Sequence, residues 1–194
     1  TNPLYGPDIL AALAGGAAIE AAIGSATAAD EGRDWRQVHG VDSRGGAFVH
    51  TGAACVDWHG GLTGDGVSVA GNMLAGPAVI EATLAAWRDG GDKPFASRLM
   101  VALLAGDAAG GDKRGKQSAA IKVVGVEAWA KVDLRIDDAA EPVVDLARLL
   151  DGFLTGRAPY YAALATRRRP AGSYTPEARA AIARGYMRAY GLGE

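Results

Sequence analysis

The sequence predicts an α+β protein, because pairs of strand-like runs alternate with amphipathic helices. Residues 36–42 and 46–51 flank a turn-forming Ser-Arg-Gly-Gly sequence, and a second pair of runs follows at 119–126 and 131–136. Strands joined by short turns pair antiparallel. Layers of helix and antiparallel sheet therefore fit the sequence better than a doubly wound parallel sheet.

The helices are predicted from apolar spacing and from signals at their ends. Asp8 is a candidate N-cap of the first helix, and Gly15-Gly16 is expected to divide that stretch in two. Pro77 begins another helix at a favoured position, and Gly90-Gly91 ends it. Further helices are expected over residues 94–104, from Pro142, and from Thr175-Pro176 to about Tyr190.

Two segments are predicted to lie outside the regular helices and strands. Residues 52–66 are glycine-rich and predict a loop, which is followed by a short strand over Val67–Gly71. Residues 156–175 change composition, with tyrosines, prolines and the run Arg167-Arg168-Arg169. These boundaries predict a main domain over residues 1–155, and a linker and helical arm over residues 156–194.

Composition excludes several classes of function. The formal net charge is −2, which argues against a broad basic face for nucleic acid. No apolar run predicts a membrane span, and no signal-peptide pattern is visible. With one cysteine, Cys55, no intrachain disulfide can form, so we expect a cytoplasmic protein and interpret Cys55 as a small buried hydrophobic residue. We expect no cofactor.

Thr1 is the first candidate for chemistry. A free N-terminal threonine carries a hydroxyl nucleophile and an α-amine, with a pKa near ~8, that can take its proton. Any cleavage of a longer chain just before a threonine would also give an N-terminal threonine, so Thr1 alone is a weak indication of catalysis.

The second candidate is Asn72, in the sequence Gly-Asn-Met-Leu-Ala-Gly-Pro that joins a strand to a helix. Its amide and nearby backbone N–H groups are suited to stabilising an oxyanion. A structural turn in which Asn72 caps the helix explains the sequence equally well.

The third candidate is the polar segment 110–118, which contains Asp112, Arg114, Gln117 and Ser118. Such a set is suited to a pocket for a carboxylate or a polarised amide. The alternative is a solvated approach to a hairpin, in which Asp112 pairs with Arg114. The spacing does not match a phosphate-binding loop.

The three histidines lack metal-ligand spacing, so no metal site is predicted. His50 closes a predicted strand, where it either faces a cleft or makes a structural hydrogen bond. Trp58 and His59 lie in the glycine-rich loop and either form a lid or pack.

Four motifs in this order resemble the bacterial family called domain of unknown function 1028, which is grouped with the N-terminal-nucleophile (Ntn) hydrolase-like proteins. They are TNPLYGP from Thr1, QVHGVDSRGGAFVHTG from Gln37, GNMLAGP from Gly71 and GGDKRGKQSAA from Gly110. The resemblance covers roughly residues 1–155.

The resemblance implies a four-layer αββα sandwich and hydrolysis of a small amide, cyclic amide or ureido bond. Family members generally have further strands before the segment that matches Thr1. We expect a companion chain from the same precursor to supply them; the alternative is a truncation, in which the nucleophile lies on the missing segment. We also expect a homo-oligomer. Thr1, exposed by self-cleavage, would be the nucleophile, with Asn72 and Asp112 as catalytic partners. The expected substrate-binding residues are Asn2, His50, Arg114, Gln117 and Ser118. The alternative is a non-catalytic binding or scaffold protein with the same fold.

Overall fold

The structure is a computed structural model that describes residues 2–192. The chain divides into two compact units. Unit 1 contains residues 1–92 and 101–115, and unit 2 contains residues 93–100 and 116–194. The predicted division at residue 155 follows a change in composition, whereas this division follows contacts between Cα atoms.

Unit 1 begins with helices α1 (Tyr5–Ala14) and α2 (Ile19–Ala28). Gly15 caps α1, and Gly16 has φ 92°, so the glycine pair separates the helices as expected. The prediction that Asp8 is the N-cap is wrong, because α1 begins at Tyr5 and Asp8 lies within its first turn. A carboxylate there still interacts favourably with the positive end of the helix dipole.

Strands β1 (Gln37–Val41) and β2 (Ala47–Thr51) form an antiparallel hairpin, in which Gln37 pairs with Thr51. Asp42 organises the turn, since its carboxylate accepts hydrogen bonds from the backbone N–H groups of Arg44 and Gly46. The same carboxylate accepts from the N–H of Ile19, 3.2 Å away. It therefore ties the start of α2 to the hairpin turn.

Strands β3 (Gly60–Gly64) and β4 (Val67–Gly71) form a second antiparallel hairpin. The loop prediction for residues 52–66 is wrong over β3, because its glycines hide the alternation of a strand. Gly61 shows why glycine is required: a Cβ at this position would lie 2.7 Å from Val49 Cγ1. The two hairpins contact each other, β1 with β4 and β2 with β3.

Helices lie against both hairpins. Helix α2 contacts β1 and β2, and α3 (Pro77–Asp89) contacts β3 and β4. Pro77 begins α3 and Gly90 caps it, as predicted. The buried side chains of α1 and α2 form one cluster, against which Val38 and Phe48 of the first hairpin pack, and α3 buries a further set. The cluster contains Tyr5, Ile9, Ile19, Ala22 and Ile23, and the α3 set is Val79, Ile80, Leu84 and Trp87.

Helix α4 (Phe95–Ala108) is divided between the units, with residues 95–100 in unit 2 and 101–108 in unit 1. Unit 2 continues with the antiparallel hairpin of β5 (Ala119–Val123) and β6 (Val132–Ile136). Helix α5 (Pro142–Gly152) packs on both strands and contributes the buried Leu146.

The rest of unit 2 is more helical than predicted. A π-helical turn (Phe153–Arg157) leads into α6 (Ala158–Ala163), within the segment expected to be a linker. Helix α7 (Pro176–Ala189) begins as predicted, with the Thr175 hydroxyl accepting from the N–H of Ala178. The chain is thus a mixed α/β protein, with small antiparallel hairpins and helices over residues 2–192. Within that span, no helix is both long enough and apolar enough to cross a lipid bilayer.

Candidate functional site

A cleft of about 510 Å³ lies in unit 1. It is bordered by the start of α1, by β1, and by the loops that precede β3 and follow β4. Its polar lining is formed mainly by three carboxamides, and the rest is aromatic or small. The lining residues are Asn2, Tyr5, Gly6, Trp35, Gln37, Val38, Ala54, Cys55, Val56, Asn72 and Met73.

Gln37 is the most extensively bonded polar residue of the cleft. The two hydrogens of its Nε2 are shared among three oxygens, Thr51 Oγ1 at 2.9 Å and the backbone carbonyl oxygens of Gly60 and Gly71 at 3.2 and 2.9 Å. These oxygens belong to β2, β3 and β4, so the two hairpins together fix the orientation of the side chain. Its Oε1 then accepts a hydrogen bond from Asn72 Nδ2 at 3.1 Å. Sequence reasoning missed Gln37, which carries only the signal of a polar residue at the start of a strand.

Asn72 does not cap α3. The N-cap of that helix is Gly76, and no side chain caps it, so the capping explanation is wrong. Asn72 is exposed at the cleft, and Gln37 is its hydrogen-bond partner among the described residues. One hydrogen of its amide is therefore committed to Gln37, and the other faces no protein acceptor within residues 2–192.

The backbone N–H groups after Asn72 are already satisfied. Those of Met73, Leu74 and Ala75 donate to the carbonyl oxygens of Val56, Trp58 and Gly111 at 3.1, 3.0 and 2.9 Å. Met73 also has φ 57°, a left-handed conformation that these bonds maintain. The segment is held rigidly, but these three groups are not free to bind an oxyanion.

Asn2 is anchored by a carboxylate that sequence reasoning did not identify. Asn2 Nδ2 donates to Asp30 Oδ2 at 2.9 Å, and the Tyr5 hydroxyl donates to the same oxygen at 2.9 Å. Gly32 N–H and Arg36 Nε donate to Asp30 as well. These hydrogen bonds, that of Asn2 foremost, hold the pKa of Asp30 well below its ordinary value, while burial and Asp30 raise the pKa of Tyr5.

Asp112 and Arg114 form an ion pair outside the cleft lining, as the alternative for this segment predicts. Arg114 Nε and Nη2 donate to the Asp112 carboxylate at 3.0 and 2.6 Å. This pairing lowers the pKa of Asp112 and raises that of Arg114. Asp112 also forms an isolated β-bridge with Leu74, which links it to the segment after Asn72.

Gln117 and Ser118 belong to unit 2, and both are exposed. Gln117 Nε2 donates to an Asp138 carboxylate oxygen at 3.2 Å, and the backbone carbonyl oxygen of Gln117 accepts from the N–H of Ala139. The segment predicted to act as one polar set is thus divided between the two units at Gly115.

The histidines make local contacts. His50 Nε2 lies 3.2 Å from the Arg33 carbonyl oxygen, which is the structural hydrogen bond weighed for this residue. His39 is exposed, and its Nδ1 lies 2.9 Å from Ser68 Oγ. His59 Nδ1 lies 3.4 Å from an Asp57 carboxylate oxygen without hydrogen-bond geometry. No group of three His, Cys, Asp or Glu side chains within residues 2–192 is placed to hold a metal ion.

Two further candidates complete the site. Cys55 is half-buried and lines the cleft, with its Sγ 3.4 Å from the Arg36 carbonyl oxygen, so it is more accessible than a core residue. Thr1 lies outside the described residues.

Comparison with known proteins gives the following relationships. No curated protein matches the sequence. A crystal structure of a protein from Silicibacter pomeroyi that is assigned to the family DUF1028 is similar to this chain, with a TM-score of 0.78 and 29% sequence identity. The match covers 90% of this chain and 78% of the Silicibacter chain. The model of the family of unknown function DUF1028 matches residues 1–146. The chain therefore belongs to DUF1028, a family of unknown function.

Proposed function

We propose that the chain is an Ntn-type amidohydrolase that cleaves a small amide, cyclic amide or ureido C–N bond. The observation that carries this proposal is the hydrogen bond between Gln37 Oε1 and Asn72 Nδ2. Three hydrogen bonds of its Nε2 fix Gln37, and Gln37 in turn fixes an amide donor at a cleft that Asn2 also lines. A preorganised donor of this kind stabilises the charge that develops on a carbonyl oxygen.

The reaction would proceed through an acyl-enzyme. Thr1 Oγ attacks the substrate carbonyl carbon while the Thr1 α-amine takes the hydroxyl proton. The Asn72 amide donates to the resulting oxyanion. When the C–N bond breaks, the α-ammonium group returns the proton to the leaving nitrogen, and water then hydrolyses the ester to release the acid and regenerate Thr1. The mechanism requires a free α-amine on Thr1, formed by self-cleavage of a precursor.

The remaining predicted site residues differ in how they relate to the cleft. Asn2 contributes to the cleft through its anchor on Asp30, and Asp112 supports the segment after Asn72 through its bridge to Leu74. Direct contacts of substrate with Arg114, Gln117, Ser118 or His50 stay predictions, since none of these residues lines the cleft among those described.

The contacts of unit 1 also support the proposed αββα sandwich. Helix α2 contacts one hairpin, the hairpins contact each other, and α3 contacts the second hairpin. Each hairpin alone has two strands, fewer than an independently stable sheet normally needs. We therefore propose that a companion segment or a second protomer extends the sheets. A cytoplasmic location stays a prediction that rests on the single cysteine.

The test begins with the complete encoded protein. Intact-mass measurement should find a chain that begins at Thr1, and release of ammonia or amine from a panel of amides should reveal turnover. Thr1→Ala should abolish turnover while the circular dichroism spectrum is retained, and Thr1→Ser should retain part of it. Asn72→Ala should lower kcat about 10²–10³-fold, as expected for loss of one oxyanion donor.

A non-catalytic binding protein is the alternative, and the engaged N–H groups of Met73, Leu74 and Ala75 favour it, because they leave Asn72 with less support as an oxyanion donor. An unprocessed precursor that binds ligands without turnover would favour this alternative. Full activity of Thr1→Ala would place the nucleophile elsewhere.

A further inference from the structure

The side chains that line the cleft share one property relevant to its ligand. Within the described residues, none of them is Asp, Glu, Lys, Arg or His. The polar contribution comes instead from Asn2, Gln37 and Asn72, together with the Tyr5 hydroxyl. A carboxylate placed here would lose water without gaining an opposite charge from any of these side chains, and the neutral Thr1 amine that the proposed mechanism uses as base would supply none, which is unfavourable.

The carboxylate that contacts the lining residues Asn2 and Tyr5 is already paired. The Asp30 carboxylate accepts from Asn2, Tyr5, Gly32 and Arg36, and Arg36 Nε lies 3.3 Å from it as an ion pair. These contacts occupy the acceptor sites of the carboxylate and one donor of the guanidinium. Neither group lines the cleft, so neither is placed to neutralise a ligand.

Two of the lining residues have groups that are available to a ligand. Asn72 has a carbonyl oxygen and one amide hydrogen without a partner among the described residues, which suits a ligand with adjacent C=O and N–H groups. Trp35 also lines the cleft, and 69% of its surface is exposed. An exposed indole offers a flat apolar surface against which a planar ring can lie.

Building on the proposed function, we infer that the cleft takes an uncharged cyclic amide or ureide and selects against a carboxylate on the same ring. The ring lies against Trp35, and its amide group hydrogen-bonds to the Asn72 carboxamide. Specificity of this kind arises because the wrong ligand leaves a charge without a partner.

Three matched probes test this inference on the purified protein. They are 2-pyrrolidinone, its 5-carboxylate, and the methyl ester of that carboxylate, which keeps the bulk and removes the charge. Cys55, the only cysteine, reports occupancy through protection from iodoacetamide. The side-chain amide signals of Asn72, assigned with Asn72→Ser, report contact in ¹H–¹⁵N spectra. The lactam and the ester should give protection and shifts at millimolar concentration, and the carboxylate should need at least a tenfold higher concentration.

Trp35→Ala should weaken binding of the lactam several-fold, but it should change the weaker binding of open-chain N-methylacetamide less. Trp129→Ala, which removes an exposed indole of unit 2, serves as the matched control and should change neither. Equal or tighter binding of the carboxylate would overturn the inference, and so would a lactam that neither protects Cys55 nor shifts Asn72. Selective lactam binding by a processed protein that hydrolyses no member of the amide panel would uphold this inference and overturn the proposed hydrolase.

Discussion

Asn2 donates a hydrogen bond of 2.9 Å to Asp30, a residue 28 positions later in the chain. This bond fixes the residue that follows Thr1 at the edge of the cleft. Because Tyr5 and Arg36 converge on the same carboxylate, the start of α1, the end of α2 and the segment before β1 meet at one point.

Asp30→Asn should lower stability at neutral pH, because the neutral side chain turns an amide N–H toward donors that need an acceptor. The pKa of Asp30 lies well below the ordinary value of 3.8, chiefly through the Asn2 hydrogen bond. A carboxyl group with a lowered pKa in the folded state contributes stability above its unfolded pKa, and the contribution is lost as the pH falls below that value. The difference in urea midpoint between wild type and variant should thus be constant from pH 7 to 5 and shrink below about 3.8.

Glu31→Gln provides the control at an exposed neighbouring position, and its difference from wild type should be smaller at pH 7. A gap between wild type and Asp30→Asn that widens on acidification would contradict the assignment of Asp30 as an anchoring carboxylate.

Gln37→Ala should destabilise the protein by about 1–3 kcal/mol, because it leaves partly buried oxygens of three strands without their donor. Gln117→Ala removes an exposed glutamine with one side-chain hydrogen bond, to Asp138, and should cost about 0.5 kcal/mol or less. Chemical unfolding measures both. Similar effects of the two changes would show that Gln37 does not join the hairpins.

Gly185→Ala should destabilise unit 2 by about 1–3 kcal/mol, since a Cβ on α7 would overlap the Gly156 carbonyl oxygen in the π-helical turn. Gly152→Ala, in α5, adds a Cβ that meets no atom within 4 Å. It should stabilise by about 0.5–1 kcal/mol through helix propensity. Thermal unfolding of both variants checks the expected opposite signs, and a loss of stability in both would contradict the close approach of Gly185 to Gly156.

Arg114→Ala should change binding of the lactam probe by less than twofold. Arg114 donates to Asp112 through two nitrogens and does not line the cleft. The titration monitored by Cys55 alkylation measures this effect. A large loss of binding would restore the role in substrate recognition that the sequence of segment 110–118 predicts.

The sequence alone determined those features whose cause lies within a few residues. The turn after β1 follows from Asp42 and its glycines, the start of α3 from Pro77, and the start of α7 from the Thr175 cap. Restricted backbone dihedrals and caps act locally, so a pattern in one sequence is sufficient to predict them. Strand β3 was not predicted from the sequence, because its glycines give no alternation of apolar and polar side chains.

Only the tertiary structure decided which polar groups meet. Gln37 and Asn72 are 35 positions apart, and their contact exists because two hairpins pack together. The same packing makes Asp30 an anchor for Asn2, whereas Asp112 and Gln117, close in sequence, fall in different compact units. Hydrogen bonds over such separations depend on the path of the whole chain, because the backbone signals around each residue do not specify its distant partner.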